Sequence, residues 1–298
     1  MTRGRPVRTY VIPPALSSLP AERDQLEFSS RSLVFPSDGT RMLRAWGPVD
    51  RPFVISVEAG RGRWNVVAWG ATPPQARAAV RELFSFSHLL GDFYRQVRQE
   101  PVLRGTERKF RGLRVPRDSS IYEALLHSIV GQQLSVRAAH HIKRRLFEAA
   151  ESFLDVDGVE VPRVPTPDEL TRLGEDGLRN AGLSRAKSQA LLGIAEAERK
   201  GRLAGELYRS LGPEEAVERL TVERGVGPWT AENALLRGVG RTDIFVAGDL
   251  GIRVALDRFG VVPRGSPEQA ARAWAQVNYP GWGSYATLYL WRKLVAGG

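Results

Sequence analysis

The sequence predicts an α+β protein: an N-terminal antiparallel sheet domain with flanking helices, followed by an all-α core. Two observations carry this expectation. Short alternating apolar runs broken by turn residues fill roughly the first hundred positions, and beyond them strand signals give way to repeated helix starts. A third bounds it, since 298 residues exceed the usual size of a single domain.

Taken in order, Ser32–Phe35 and Met42–Trp46 flank Asp38-Gly39, a dipeptide suited to a tight hairpin. Phe53–Glu58 and Trp64–Trp69 form a second pair around Gly60-Arg61-Gly62. Phe53, Ile55 and Val57 alternate, as in a sheet with one buried face. Thr72 then caps a helix with Pro73 and Pro74 in its first turn, and Ala76, Val80, Leu83 and Phe84 form its apolar stripe. Helices are thus expected on one side of the sheet. An Arg-rich polar connector runs from Arg95 to Arg117.

After the connector, Ser120-Ile121-Tyr122-Glu123 is a capping box ahead of Leu125, Leu126, Ile129 and Val130. Thr166-Pro167-Asp168-Glu169 repeats that start, and Ser184 opens a helix carrying Ala190, Leu191, Ile194 and Ala197. Pro213, Pro228 and Ser266-Pro267 mark further starts, each with Pro where its missing N–H is harmless. The last two-thirds therefore read as all helix. The expected segments are 1–100 (sheet domain), 101–123 (connector packing with the C-terminal helices), 124–240 (helical domain) and 241–298 (C-terminal helical domain).

Composition narrows the function. There is no cysteine, which excludes disulfides, thiol nucleophiles, zinc–thiolate sites and iron–sulfur clusters. Neither a secretory core nor an apolar run of membrane-spanning length is present, so an intracellular, soluble protein of the cytoplasm is expected, with no membrane partner. The 43 basic residues exceed the 33 acidic ones, and the resulting charge of +10 favours a polyanionic partner through counterion release.

The segment Arg224-Gly225-Val226-Gly227-Pro228-Trp229-Thr230-Ala231 lies between two helical stretches. Two glycines around one apolar residue allow a backbone to approach a ligand closely. The helix that follows directs free N–H groups at the same place, which suits one DNA phosphate. Downstream stands Asp243-Ile244-Phe245-Val246-Ala247-Gly248-Asp249, upstream Gly131-Gln132-Gln133-Leu134-Ser135, and between them Ala181-Gly182-Leu183-Ser184.

With these motifs the chain resembles the helix-hairpin-helix DNA glycosylases, and among them the DNA-3-methyladenine glycosylase II branch, over roughly Ile121 to the C-terminus. The resemblance implies a helix-hairpin-helix glycosylase core, base excision repair of alkylated purines in double-stranded DNA, and Asp249 as the catalytic carboxylate that stabilises the oxocarbenium-like sugar. The plainer reading of Asp249 is a helix cap, and the two are compatible. Asp243 and Asp257 are its rivals and read as structural.

The family's strand-cleaving members place a lysine where this chain has Trp229, so a monofunctional enzyme is expected. Trp229 and Trp291 match aromatic positions of the base pocket, where an indole attracts a cationic alkylated purine; core packing is the alternative for Trp229. Asn233 and Arg292 stand at base-binding positions where the nearest relatives are aromatic, which leaves oxidised or deaminated bases open as substrates. Trp282 and Tyr285 are expected to pack in the core. DNA contacts fall to Gly225, Val226, Gly227, Thr230, Gln132, Gln133 and Leu134, with Gln133 or alternatively Leu134 filling the hole left by a flipped base.

Arg137, Lys143, Arg144 and Arg145 could meet phosphates or simply form a solvated face, and Arg224 would offset the repulsion of Glu223. His88, His127, His140 and His141 show no metal spacing backed by carboxylates, so neither catalytic metal nor cofactor is expected. Turn carbonyls around Gly225 and Gly227 would serve at most a structural monovalent cation. A monomer is expected, and a noncatalytic DNA-binding module is the remaining alternative.

Overall fold

The structure, a computed structural model, describes residues 5–14, 41–60 and 62–297; the expected Ser32–Phe35 strand and Asp38-Gly39 turn lie outside them. Strands β1 (Val7–Val11), β2 (Arg41–Trp46), β3 (Phe53–Glu58) and β4 (Trp64–Trp69) form an antiparallel sheet in the order β1-β4-β3-β2. Helix α1 (Pro73–Leu83) lays Ala76, Ala79, Val80 and Leu83 on one face of it, against Met42, Ile55, Val57, Trp64 and Val66. Thr72 and Gln75 close the box that starts this helix.

The expectation of one buried face is incomplete. Phe53 through Val57 are all buried, including Val54 and Ser56, which point the other way. Val54 and Trp69 cluster there with Val156 and Val161, from a small hairpin of β5 (Phe153–Val156) and β6 (Val159–Pro162) inside the helical region. Asp157 and Gly158, with φ of 51° and 79°, make the two-residue turn that requires positive φ at both positions. Trp69 Nε1 donates to Asp157 Oδ2 at 3.1 Å, tying the hairpin to the sheet. The helical core is as expected apart from this hairpin, which covers the sheet's second face.

Next come α2 (Gly91–Gln99), which runs into the polar connector, and α3 (Thr106–Lys109) inside it. It is apolar inside: Val97, Val102, Leu103, Leu113 and Val115 join one cluster with Val246, Ala255, Tyr285 and Tyr289. Helix α4 (Ile121–Gly131) is buried from Ile121 to Val130, as its nearly unbroken hydrophobicity requires. Ser120 caps it by accepting from Glu123 N, but the Glu123 carboxylate turns to Ser119 and to Arg44 of β2 instead of closing the box.

Around α4 pack α5 (Val136–Ala149), α6 (Pro167–Asn180), α7 (Arg185–Arg199), α8 (Glu206–Arg209), α9 (Pro213–Thr221) and α10 (Pro228–Ala234), the last running into a π-helical turn at Leu235–Val239. Helices α11 (Leu250–Arg258), α12 (Glu268–Asn278) and α13 (Gly283–Val295) build the second helical cluster. Trp229 packs against that second cluster although its helix belongs to the first.

Candidate active site

The hairpin joins α9 to α10. Gly225 has φ of 78°, and a Cβ there would lie 2.3 Å from the Cβ of Ala190 on α7, so only glycine fits both the turn and the contact. Val226 plugs into the core while Gly225, Gly227 and Pro228 face outward. Glu223, the acidic residue before the turn, is paired by Arg202 at 2.7 and 2.9 Å. Arg224, expected to compensate it, instead binds Gln189.

The loop between α4 and α5 stands beside this turn. Gln132 donates its amide to Thr230 Oγ1 at 2.9 Å and to Gly225 O at 3.2 Å, and Lys187 Nζ donates to the carbonyls of Val130 and Gln132 at 2.9 and 2.7 Å. Gln132 therefore spends its side chain joining the loop to the hairpin, and buried Thr230 spends its hydroxyl in the same joint. Gln133 is exposed in the left-handed region at φ of 55°, a backbone that disfavours a side chain and marks a constrained tip. Leu134 is exposed beside it.

Asp249 caps α11, its Oδ1 accepting from Ile252 N at 3.1 Å. The same oxygen accepts from Trp291 Nε1 of α13 at 2.9 Å, and Oδ2 accepts from Trp229 Nε1 of α10 at 3.0 Å. All three side chains are half-buried. Three N–H donors thus fix the carboxylate from three helices, a complement to an acceptor-only ionised group. Cap and cluster coexist in one residue.

The other expected site residues disperse. Asn233 is buried and donates back to the Trp229 carbonyl on its own helix at 2.9 Å. The Arg292 guanidinium lies over the Phe110 ring, 5.7 Å from its centroid. Asp243 pairs with Arg241, and Asp257 accepts from Arg264 N, consistent with structural roles. Tyr285 and Trp282 pack edge to face in the core. Of the basic run on α5, Lys143 is buried, where desolvation pushes its ammonium down to about 8. Arg144 pairs with Glu148, Arg145 binds the Asn180 carbonyl, and Arg137 is exposed.

The histidine reading needs correction. Asp118, Glu123 and His127 bring their ligand-type atoms within 4.8 Å of one another in the interior. The Arg44 guanidinium, 3.1 Å from Asp118 Oδ1 and 3.0 Å from Glu123 Oε1, already fills the cationic position between the two carboxylates, and Arg237 takes the other oxygen of Asp118. The group reads as an ion-pair network. At the hairpin, the Gly225 carbonyl accepts from the Gln132 amide at 3.2 Å and the Gly227 carbonyl from Ala231 N at 2.9 Å.

A two-glycine hairpin entering a helix, followed by a rigid, half-buried aspartate at the start of another, is the arrangement of a base-excision DNA repair protein. Residues 126–278 match the family model described as HhH-GPD superfamily base excision DNA repair protein, and the chain belongs to that superfamily. It is similar to the DNA-3-methyladenine glycosylase of Bacillus subtilis, with 30% identity over 215 residues covering 72% of this chain and 71% of the relative. It is also similar to DNA-3-methyladenine glycosylase 2 of Escherichia coli, with 32% identity over 180 residues and 60% of each chain. Among solved structures, 3-methyladenine DNA-glycosylase from Archaeoglobus fulgidus shares the fold at a TM-score of 0.81, covering 96% of this chain and 98% of that one at 22% identity. That coverage takes the likeness of fold into the N-terminal sheet.

Proposed function

We propose that the chain is a monofunctional DNA glycosylase that excises alkylated purines, of the 3-methyladenine and 7-methylguanine type, from double-stranded DNA. The relatives named for 3-methyladenine support the substrate class. The observation that carries the chemistry is the Asp249 carboxylate gripped by Trp229, Trp291 and the Ile252 amide. As the base leaves, the sugar gains positive charge at C1′. A carboxylate already oriented stabilises that charge without reorganising, and it can accept a proton from the attacking water.

Each indole commits its N–H edge to Asp249, and a ring face turned to the base would attract a cationic purine by ~0.5–2 kcal/mol. Trp229 has no amine, so no imine to the sugar forms and the abasic strand stays intact. The exposed backbone at Gly225 and Gly227 would take a phosphate, with Val226 and Thr230 anchoring the turn from inside. Gln133 or Leu134, both exposed on the adjoining loop, would fill the space vacated by the flipped base. The enzyme would act as a monomer, with no cofactor, on DNA in the cytoplasm.

The test is incubation of the protein with methylated duplex DNA and chromatography of the released bases. Free 3-methyladenine or 7-methylguanine is expected from the wild type and not from Asp249→Asn. Undiminished release by that variant would remove Asp249 from its role, and strand cleavage without heat or alkali would overturn the monofunctional reading.

A further inference from the structure

One turn after Trp229, α10 carries a carboxylate that none of the chemistry above uses. Glu232 has no exposed surface. Its Oε1 accepts from Arg272 Nη1 of α12 at 2.6 Å, while Oε2 is buried without a hydrogen-bond partner. A half-satisfied buried carboxylate is costly, and an apolar side chain of similar size would pack there at lower cost.

Its surroundings point to what it serves. The Ala247 amide, which donates to the Phe245 carbonyl at 2.9 Å, lies near the carboxylate and favours its charged form. Glu268 of α12 stands beside the next residue: a Cβ at Gly248 would lie 3.0 Å from Glu268 Oε1. Val246 N, one residue earlier, donates to Thr287 Oγ1 of α13 at 3.1 Å, one turn before Trp291. The strap of residues 246–248 is thus flanked by α12 and bonded by α13 immediately before Asp249, the Glu232–Arg272 pair ties α12 to α10, and α10 and α13 are the helices whose indoles grip that aspartate.

We propose that Glu232 is a positioning residue which, with Arg272, holds the strap so that the Asp249 carboxylate meets Trp229 and Trp291 in register. The proposal rests on the reading of Asp249 as the catalytic group. Burial pushes the Glu232 carboxyl up to about 7, with Glu268 adding to the rise and Arg272 and the Ala247 amide opposing it. Glu214 and Glu218 of α9 and Asp243 line the same cavity of about 550 Å³ as Glu232 and Arg272, and the pair Asp243 makes with Arg241 offsets its charge. Deprotonation strengthens the hold on Arg272, so the tie between α10 and α12 tightens as pH rises through neutrality.

The test compares wild type with Glu232→Gln in single-turnover base release on methylated duplex DNA from pH 6 to 8, alongside DNA affinity. The expected result is a rate about tenfold lower in the variant with affinity unchanged, and a wild-type rise in rate centred near pH 7 that the variant lacks. The indole N–H resonance of Trp229, followed by NMR in the free protein, is expected to titrate over that range in wild type and stay flat in Glu232→Gln. A folded variant with wild-type rate and pH profile would overturn the proposal, as would a flat Trp229 resonance in wild type. The wild-type titration decides the matter even if the variant does not fold. If the wild type releases no base, the functional reading fails while the resonance still reports on the strap.

Discussion

Trp229 and Asp249 meet edge-on, indole Nε1 to carboxylate Oδ2 at 3.0 Å, so the residue that the family resemblance sets in the place of a strand-cleaving lysine is itself a hydrogen-bond donor to the proposed catalytic group. Trp291 completes the pair on Oδ1 at 2.9 Å. Substituting either ring therefore tests two roles at once, and a phenylalanine separates them. Trp229→Phe keeps an aromatic face and removes the N–H. Base release is expected to fall about tenfold, as for the loss of one charge-assisted hydrogen bond of roughly 1.5 kcal/mol, with binding of duplex DNA nearly unchanged in a fluorescence-anisotropy titration. A fall in binding with intact turnover would mean that the ring acts through stacking alone.

Asp249→Asn is expected to separate stability from activity. Asn is as good a helix cap as Asp, so the Ile252 amide keeps its acceptor and the melting temperature should hold within a few degrees. Base release should fall by about 10²–10³, the usual loss when an electrostatic group in a site is removed. Differential scanning fluorimetry and single-turnover assays on one preparation check both halves.

A half-buried histidine and a buried glutamate give the stability curve opposing slopes. Burial and the Arg117 and Arg114 charges lower His88 from its ordinary 6.5 to about 4, and it is hydrogen-bonded to the Tyr285 hydroxyl. Its contribution is complete above pH 6.5 and is lost as pH falls toward 4, where the folded state must charge a half-buried ring beside two arginines. Glu232 has the opposite sign: raised from 4.5 to about 7, it contributes fully below 4.5 and loses that contribution as pH rises through 7. Melting temperatures from pH 4 to 9 should show a shallower acid limb in His88→Gln and a flatter neutral limb in Glu232→Gln. Slopes identical to wild type would refute the respective assignment.

Arg44 is fully buried and bridges Asp118 and Glu123 from the sheet. Arg44→Met leaves two interior carboxylates short of a cation, and removing one partner of such a network typically costs about 3–5 kcal/mol. The urea midpoint should drop sharply. Losses under about 1 kcal/mol would indicate that Arg237 and Lys143 suffice to balance the charge.

What the sequence disclosed and what it withheld have physical causes. Asp249, Trp229 and the hairpin were legible because they sit at helix starts, where cap chemistry and spacing are local. Asn233 was legible as a position and not as a contact, since the turn of its amide onto the Trp229 carbonyl depends on packing around it. The β5–β6 hairpin did carry a local signal, Asp157-Gly158, but strands this short among helical segments show little periodicity. Once that hairpin is in place, the unbroken burial from Phe53 to Val57 follows, because the second face of β3 has a cover. The four-residue spacing of Glu123 and His127 put both on one side of α4, whereas Asp118 and Arg44 reach them only through the tertiary fold.

The Trp69–Asp157 link and the Arg44 bridge make the amino-terminal sheet an integral wall of the molecule. A truncated version expressed from residue 101 onward would leave Val156 and Val161 bare and strip a guanidinium from between two acids. Such a fragment should accumulate in inclusion bodies, so laboratories seeking a minimal catalytic piece will have to carry the sheet along.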